Sequence, residues 1–356
     1  MKIIAYYLPQ FHEIEENNLW WGKGFTEWTN LKKAHPLYKN HKQPVVPLDG
    51  YYNLLDPDTM KRQAEYAKDY GIYGMAFYHY WFDGKMLLEK PAEMLLRNKD
   101  IDMKYMFFWA NHDWIKSWDG TKKLLQKQVY GGKKDWDAHF AYLRNFFDDE
   151  RYIKIDNRPA IGIFMISAIP DVNEMIERWN VLAKECGFDG VYVIESALKM
   201  SEGHDKFKTD AVVLRQPNIG MFRYCRVYNI SKRIKELQPI IPGCYPLILS
   251  YKKVMENLIK NSKNYKNSKT IMLGYFTGWD NTSRHGKRGS VIEGKNPELF
   301  RSYFSKLLKI AEERNIEFIF INAWNEWCEG MFLEPDDETK FEYLQAIKEV
   351  LNEKNR

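Results

Sequence analysis

The sequence predicts a single (β/α)8 barrel with long loops at the carboxyl ends of its strands. Eight short apolar runs alternate with stretches of helical period, and 356 residues are enough for one elaborated barrel. The longest loops, at 9–56, 112–134 and 277–296, all follow strand-like runs. Because parallel strands need crossover connections, we expect one closed parallel barrel over residues 1–356.

Eight runs of apolar, β-branched or aromatic residues are the predicted strands. They lie at 2–8, 72–80, 105–111, 159–165, 191–195, 211–215, 271–276 and 318–323. Residues 240–246 could form an additional strand, and the helix between the fifth and sixth runs is poorly marked. A doubly wound sheet would need a glycine-rich phosphate turn after the first strand, and Pro9-Gln10-Phe11-His12 is not such a turn.

Six amphipathic stretches are the predicted crossover helices, at 57–70, 136–147, 172–186, 251–261, 297–314 and 338–351. Asp56 and Asn296 each precede a proline, which is typical of an N-cap followed by the first helical residue. Gly71, Gly187 and Asn315 follow three of these stretches, and such residues favour the left-handed conformation that ends helices.

Composition excludes several classes of partner. No run of about 18 apolar residues is present, so the sequence predicts no membrane span. The net charge of +5 comes from 53 basic and 48 acidic residues spread along the chain, and we therefore expect no nucleic-acid partner. The first residues have the pattern of a strand rather than of a signal peptide, which favours a cytoplasmic location.

The four cysteines show no spacing typical of zinc ligands, so we expect free thiols, no metal and no cofactor. They are Cys186, Cys225, Cys244 and Cys328. Cys328 has acidic neighbours, and these raise the pKa of a thiol, which argues against a nucleophilic cysteine.

Ten of the twelve tryptophans lie at or just after strand-like runs. They are Trp20, Trp21, Trp28, Trp81, Trp109, Trp114, Trp118, Trp279, Trp324 and Trp327. Tryptophans that only fill a core would also occur in the helical stretches. This bias therefore predicts an aromatic-lined cleft on one face of the fold.

The most informative segment is Trp324-Asn325-Glu326-Trp327-Cys328-Glu329-Gly330, directly after the last predicted strand. Carboxylate pairs walled by aromatic rings suit the cleavage of glycosidic bonds. One carboxyl group exchanges protons while the other stabilises or generates positive charge at the anomeric carbon. An isolated Glu-x-x-Glu is more often a solvated pair, but two tryptophans and an asparagine beside it favour a functional interpretation.

Other polar and aromatic side chains follow the remaining strand-like runs, among them Arg215, Gln216 and Arg284. Each alone has a structural interpretation, such as a packed core histidine or an ion-pair partner. Because strand ends meet at one face of a barrel, we predict one sugar-binding pocket around Glu326 and Glu329. The predicted substrate-binding residues are Tyr7, Trp28, His79, Trp81, Trp109, Asn111, Asp113, Trp279, Asp280, Trp324 and Asn325.

Five segments together resemble the WbsX-like proteins, which belong to bacterial surface-polysaccharide gene clusters and are related to the endo-α-mannosidases of glycoside hydrolase family 99. The segments are 20–30, 78–82, 108–120, 278–284 and 324–330. The resemblance implies a (β/α)8 barrel, an endo-acting hydrolase that retains configuration, an oligosaccharide or polysaccharide substrate, and no metal. It gives no indication of a protein partner.

The residues that match the catalytic pair of the mannosidases are Glu326 and Glu329. The resemblance implies that Glu326 assists attack by the sugar's own 2-hydroxyl, giving a 1,2-anhydro sugar, and that Glu329 acts as acid and then as base. We expect burial among Trp324, Trp327 and its carboxylate neighbour to raise the pKa of Glu329 and keep it protonated, while Glu326 stays ionised. A double displacement with an enzyme nucleophile usually needs carboxyls about 5–5.5 Å apart across the bond. Two glutamates on one loop fit a nucleophile supplied by the substrate more easily.

Two departures from the family pattern stand out. The mannosidase motif has histidine at the position of Cys328. The WbsX-like segment Asn-Glu-Asn-Trp is replaced by Asn111-His112-Asp113-Trp114. These changes bear on the sugar bound beside the cleaved bond and leave the two glutamates intact.

Two other functions remain open. A glycosyltransferase in O-antigen or capsular polysaccharide biosynthesis would bind a nucleotide-activated sugar, often through Asp-x-Asp and a divalent metal. The triplets Asp56-Pro57-Asp58 and Asp135-Trp136-Asp137 open predicted helices, where aspartate caps free N–H groups. A non-catalytic carbohydrate-binding protein would explain the tryptophans but leaves the two glutamates without a role.

Overall fold

Eight parallel strands form a closed barrel in the computed structural model, which describes residues 1–116, 123–200, 205–221 and 246–353. Each strand pairs with the next, and the first pairs with both the second and the eighth, so the predicted (β/α)8 barrel is confirmed. All eight lie within or overlap the predicted runs. The strands are β1 (Lys2–Tyr7), β2 (Gly74–Phe82), β3 (Tyr105–Trp109), β4 (Arg158–Ile163), β5 (Tyr192–Ala197), β6 (Ala211–Leu214), β7 (Thr270–Phe276) and β8 (Phe318–Asn322).

Helices cover the outside of the barrel. The longer ones are Pro57–Asp69, Lys90–Arg97, Lys133–Phe147, Val172–Glu185, Tyr251–Asn264, Pro297–Glu313 and Glu342–Glu353. Only Lys90–Arg97 was not predicted, because it is short and has a proline in its first turn. The predicted caps are confirmed, since Asp56 accepts a hydrogen bond from the Asp58 amide and Asn296 from the Leu299 amide. Among the described helices, none is long and apolar enough to cross a membrane.

The loops at the carboxyl ends of the strands carry small elements of their own. Those in the three long loops are the helices Glu15–Trp21, Glu27–Lys33 and Thr282–His285, the turn Gly286–Arg288, and the strands Trp114–Lys116, Lys123–Gln126, Trp279–Asp280 and Ser290–Glu293. Elsewhere lie Lys85–Leu87, Lys154–Ile155, Ile166–Ala168 and Asn218–Met221. Of the possible additional strand, residues 240–245 lie outside the described part of the chain, and a strand begins just beyond it, at Leu247–Ser250. That residues 1–356 form one domain stays a prediction.

Aromatic rings fill the barrel interior below the site. Tyr6 of β1 stacks on Tyr78 of β2 with ring centroids 5.7 Å apart, and Phe108 and Phe320 contact Tyr6 at 5.0 and 5.6 Å. A Cβ at Gly162 of β4 would lie 2.0 Å from the Phe108 ring, so the glycine makes room for it. Tyr78 of this layer lines the cavity at the strand ends.

The neighbouring residue on each strand points the other way, because side chains alternate along a strand. Tyr7 therefore stacks on Phe77 with centroids 4.2 Å apart, and His79 contacts Phe107 at 5.0 Å. These rings lie between the barrel and its helices. The face of the strand on which a residue lies thus determines whether its side chain points toward the site or toward the helix layer.

Candidate active site

A cavity of about 600 Å³ opens at the carboxyl ends of the barrel strands, and both Glu326 and Glu329 line it. Its volume lies in the range of ordinary small-molecule sites. The other polar or aromatic lining residues are Gln10, Trp21, Glu27, Tyr78, Tyr80, His112, Asp113, Trp114, Phe164, Arg215, Gln216, Asn218, Trp279, Arg284 and Asn322.

The two glutamates lie on a tight loop after β8. The two-residue strand Asn325–Glu326 pairs antiparallel with Met331–Phe332, and the 3-10 turn Trp327–Glu329 connects them. Gly330 has a left-handed φ of 62°, and a Cβ there would lie 2.7 Å from the backbone nitrogen of Asp280. The glycine of the motif therefore lets this loop pack against the loop after β7.

Glu326 is the buried member of the pair. The Tyr78 hydroxyl donates a hydrogen bond to it and accepts one from Arg215 at 2.6 Å. Burial, and then the negative charge of Glu329, raise the pKa of Glu326 to about 7, although Arg215 opposes this shift. The Oε2 atom of Glu326 has no hydrogen-bond partner among the described residues.

Glu329 lies nearer the solvent and forms an ion pair with Arg284, at 2.5 Å between Nη1 and Oε1. The other end of the same guanidinium pairs with the buried carboxylate of Glu27. One positive charge therefore lies between two carboxylates. Together with Glu326 and Arg215, these side chains form a cluster of three glutamates and two guanidinium groups in the cavity wall.

These surroundings differ from the expectation that the tryptophans would bury Glu329. Trp324 is fully buried in the core, and the Trp327 indole donates to Glu334 at 2.9 Å, so both rings point away from Glu329. Its side chain is 24% exposed. Burial acts on Glu326 instead, because that residue lies deeper in the barrel.

The structure brings only part of the predicted pocket together. Asp113 and Trp279 line the cavity with the two glutamates, and Asp280 lines a neighbouring cavity of about 530 Å³ that shares Trp279. The prediction of one shared pocket is wrong for the other eight residues, whose side chains line neither cavity. They are Tyr7, Trp28, His79, Trp81, Trp109, Asn111, Trp324 and Asn325.

Three of these side chains belong to the layer between barrel and helices. His79 and His139 have their Nε2 atoms 2.9 Å apart, and burial lowers the pKa of His79 to about 3, so this ring is neutral. Trp81 stacks on His139 with an interplanar angle of 2°. The Trp109 indole donates to the carbonyl of Trp81 at 3.3 Å. Their role is packing.

Tyr7, Trp28 and Trp324 are also core residues. Tyr7 is on the outward face of β1, and its hydroxyl donates to Gln63 at 2.6 Å. The Trp28 indole donates to the carbonyl of Tyr52 at 2.7 Å. The predicted bias of tryptophans toward the strand ends is real, but it reflects a thick aromatic core as much as a cleft.

The two asparagines hold loops in place. Asn111 accepts from the Met165 amide at 2.7 Å and donates to the Met165 carbonyl at 2.9 Å. Asn325 does the same with Leu8, at 2.7 Å from its amide and 3.1 Å to its carbonyl. Asn325 therefore positions the backbone of its neighbour Glu326 without reaching the cavity.

Several cavity residues were absent from the predicted set. Tyr78 and Tyr80 of β2 lie one position before the predicted His79 and Trp81, and Asn322 ends β8. Arg215 was named among the polar residues at the strand ends but not among the predicted substrate-binding residues. The two-residue period of the strands was the available signal, because it assigns Tyr78 and Tyr80 to the face opposite His79 and Trp81.

Cys328 is buried, and its thiol contacts the Glu27 carbonyl at 3.2 Å. Burial and the charge of Glu27 raise its pKa well above the usual value, so it is not a thiolate nucleophile. Cys186 is a free thiol. Cys225, Cys244 and Trp118 lie outside the described residues.

Both Asp-x-Asp triplets have structural partners. Asp56 caps its helix, Asp135 accepts from the Trp81 indole at 2.8 Å, and Asp137 pairs with Arg178. Within the described ranges, no group of three or more His, Cys, Asp or Glu side chains could hold a metal ion.

The protein is a closed (β/α)8 barrel with carboxyl groups, guanidinium groups and aromatic rings at the carboxyl ends of its strands, the face at which enzymes of this fold build their active sites. A sequence model of the family described as "Glycosyltransferase WbsX" matches residues 3–347. The chain belongs to this family.

Two relatives named "Uncharacterized protein WxcX" come from two strains of Xanthomonas campestris pv. campestris. Each is 30% identical over 356 residues, covering 98% of this chain and 49% of the relative. The chain thus spans about half the length of these relatives.

Solved structures share the fold at low sequence identity. A glycoside hydrolase-like protein has a TM-score of 0.62 and 15% identity, covering 98% of this chain and 93% of its own. The GH99 endo-α-mannosidase from Bacteroides thetaiotaomicron has a TM-score of 0.58 and 14% identity, covering 99% and 96%. These matches support the barrel fold.

Proposed function

We propose that the protein is a retaining, endo-acting glycoside hydrolase that cleaves a bacterial polysaccharide or glycan, with Glu326 as base and Glu329 as acid and then base. One observation carries the proposal: a single cavity holds two carboxyl groups in different surroundings. Glu326 is buried beside Arg215, and Glu329 is partly exposed beside Arg284. Acid–base chemistry at a glycosidic bond needs two such differentiated groups.

The charges of the site allow the two glutamates to hold one proton. Glu27, Glu326 and Glu329, all ionised, exceed Arg215 and Arg284 by one negative charge, so a single proton neutralises the group. In the free protein near neutral pH, the raised pKa of Glu326 favours that residue as the carrier. A sugar hydroxyl that donates to Glu326 stabilises its ionised form and shifts the proton toward Glu329.

The proposed reaction has two steps. In the first, Glu326 takes the proton of the sugar 2-hydroxyl as O2 attacks C1, the bond from C1 to the leaving oxygen breaks, and Glu329 protonates that oxygen. In the second, water attacks C1 of the 1,2-anhydro sugar as the C1–O2 bond breaks, Glu329 takes the water proton, and Glu326 returns its proton to O2. Two inversions at C1 retain the configuration. A base with a pKa near the working pH suits the first step.

The rest of the cavity suits sugar hydroxyls. Both polar atoms of Asn322, Nε2 of Gln216 and Nη1 of Arg215 are buried and have no hydrogen-bond partner among the described residues. Unpaired buried polar groups are costly, so a ligand that satisfies them gains affinity. Trp21, Trp114 and Trp279 offer apolar faces beside them; their side chains are candidates for contact with pyranose C–H groups.

Glycosyl transfer is the second candidate, and the description of the family model favours it. In that case an acceptor hydroxyl, rather than water, would take the sugar in the second step. The same two glutamates could serve either outcome, since both reactions move a glycosyl group and one proton.

The deciding experiment is incubation with the surface polysaccharide of the bacterium that makes the protein, followed by size-exclusion chromatography. Internal cleavage shortens the chains early in the reaction, and NMR of the fresh reducing ends reports retained configuration. Longer chains, formed only with an added nucleotide sugar, would support transfer. Binding of the polysaccharide without any change in its chain length would support a non-catalytic carbohydrate-binding function.

A further inference from the structure

The second cavity, of about 530 Å³, lies beside the first, and Trp279 lines both. The strand Trp279–Asp280 lies in the loop after β7 and pairs with Ser290–Glu293, which leads directly to Lys295. A glycan chain that contacts Trp279 could therefore occupy both cavities. The chemistry of the second cavity differs from that of the first, because the ammonium group of Lys295 lines it.

The carboxylates around this second cavity already have donors. Asp280 accepts from His41 and Gln43, both at 2.8 Å, and Asp336 accepts from the backbone amide of Glu338 at 2.8 Å. Lys42 pairs with the Glu338 side chain. These acids are therefore committed to holding the cavity walls.

Lys295 has no such partner. Its ammonium group lies over the rings of Phe332 and Tyr343, 4.8 and 5.7 Å from their centroids, and forms no hydrogen bond or ion pair with any described residue. A Cβ at Gly278 would lie 2.7 Å from the Lys295 Cδ, so the glycine makes room for this side chain. An ammonium over ring faces keeps donors free for an anion.

A second free group lies in the wall of the same cavity. Gln43 is buried; its Nε2 donates to Asp280, and its Oε1 has no hydrogen-bond partner among the described residues. This oxygen can accept only from a donor such as a sugar hydroxyl. Lys295 and Gln43 together thus offer donors for one negative charge and an acceptor for a hydroxyl.

We infer that the second cavity binds a sugar unit that carries a carboxylate, with Lys295 pairing with the carboxylate and Gln43 accepting from a hydroxyl. This inference rests on the proposed function in so far as the unit belongs to the glycan cleaved at Glu326 and Glu329. A singly charged carboxylate matches one ammonium. A doubly charged phosphate monoester would bring a second negative charge close to Asp280 and Asp336, which costs more than the single charge of a carboxylate.

Calorimetric titration with glucuronate and with glucose tests the inference and needs no turnover, so its failure is distinct from failure of the hydrolase proposal. Wild-type protein should bind glucuronate about tenfold or more tightly than glucose, the value of one charge-assisted hydrogen bond. Lys295→Gln should lose that preference, and Lys295→Arg should keep most of it. The matched control is Lys253→Gln, which removes an exposed charge from the helix Tyr251–Asn264, outside the lining of both cavities, and should change nothing.

A second measurement uses the wild-type chain alone and so does not depend on the folding of a variant. Glucuronate should slow chemical labelling of the Lys295 amine, measured by mass spectrometry, and leave the labelling of Lys253 unchanged. Equal affinity for glucuronate and glucose, equal loss in Lys295→Gln and Lys253→Gln, or unprotected Lys295 would each overturn the inference. Stronger protection by glucose 6-phosphate than by glucuronate would overturn the carboxylate assignment.

Discussion

The side-chain amide of Asn325 forms two hydrogen bonds with the backbone of Leu8, one with its N–H and one with its carbonyl. Leu8 directly follows the first barrel strand, and Asn325 directly precedes Glu326. The contact therefore ties the loop that carries the two glutamates to the opposite end of the chain, at the seam where the barrel closes.

Asn325→Ala is expected to lower both stability and activity. It leaves the Leu8 N–H and carbonyl buried without partners, which costs about 1–3 kcal/mol for each group, and it frees the backbone beside Glu326. Urea-induced unfolding measures the first effect, and the rate on the cleaved glycan measures the second. Asn264→Ala is the control, because Asn264 bonds only within its own exposed helix turn. Equal effects of the two substitutions would contradict the positioning role.

The sequence predicted the barrel well, because apolar runs and helix caps are local signals that the folded chain keeps. The pocket was predicted less well for two physical reasons. His79 and Trp81 were chosen for their chemistry, although the two-residue period assigns them to the helix layer. Arg284 reaches Glu27 across 257 positions of sequence, and no local pattern reports such a contact.

Glu326→Gln and Glu329→Gln should each lower the cleavage rate by about 10²–10⁴, the usual effect of a positioned acid or base. Binding of the uncleaved glycan should survive, because the amide keeps the shape of the carboxyl group. A rate measurement beside calorimetric binding separates the two effects. Undiminished cleavage by either variant would remove that residue from the mechanism.

The two variants should differ on a substrate with a good leaving group. Such a group departs without a proton, so Glu329→Gln should recover part of its rate, whereas Glu326→Gln should not, because the 2-hydroxyl stays unactivated. The measurement is the rate on an aryl glycoside relative to the natural glycan. Rescue of Glu326→Gln alone would reverse the assigned roles.

On an aryl glycoside, whose leaving group needs no proton, the cleavage rate should rise with pH through about 7, because Glu326 must be ionised to act as base and its pKa is raised to about 7. Below that pH the protonated fraction dominates, and the rate should fall about tenfold per pH unit. Glu329→Gln removes a negative neighbour that raises the pKa of Glu326. On an aryl glycoside, the rate of this variant should therefore begin to fall at a lower pH than that of the wild type. If both pH–rate profiles fell at the same pH, this would argue against coupling of the two carboxyl groups.

Glu334 should make the protein less stable as pH rises. It is buried, accepts hydrogen bonds from Tyr52, Gln63 and from Trp327 of the loop that carries Glu326 and Glu329, and burial raises its pKa to about 7 from 4.5. A carboxyl group whose pKa is higher in the folded than in the unfolded protein contributes its full stability at pH values below the unfolded pKa. This stability is lost as the pH rises through the folded pKa of about 7. The total loss is up to about 3 kcal/mol.

Glu334→Gln removes this ionisation. Its free energy of unfolding, measured by urea titration, should therefore improve relative to that of the wild type between pH 5 and 8. Glu65→Gln is the control, since Glu65 is exposed on the same helix as Gln63. A parallel pH dependence in Glu334→Gln and the wild type would show that Glu334 does not titrate in this range.

Arg284→Met should destabilise the protein strongly, because it leaves Glu27 buried and without its cation. Removing one partner of a buried ion pair costs about 3–5 kcal/mol. The double variant Glu27→Gln/Arg284→Met removes the uncompensated charge and should be more stable than Arg284→Met alone. Arg301→Met serves as the control, since Arg301 pairs with exposed glutamates and its loss should cost about 1 kcal/mol or less. Urea unfolding of the four proteins measures all three effects. If the double variant were no more stable than Arg284→Met, the guanidinium would act through packing rather than by neutralising Glu27.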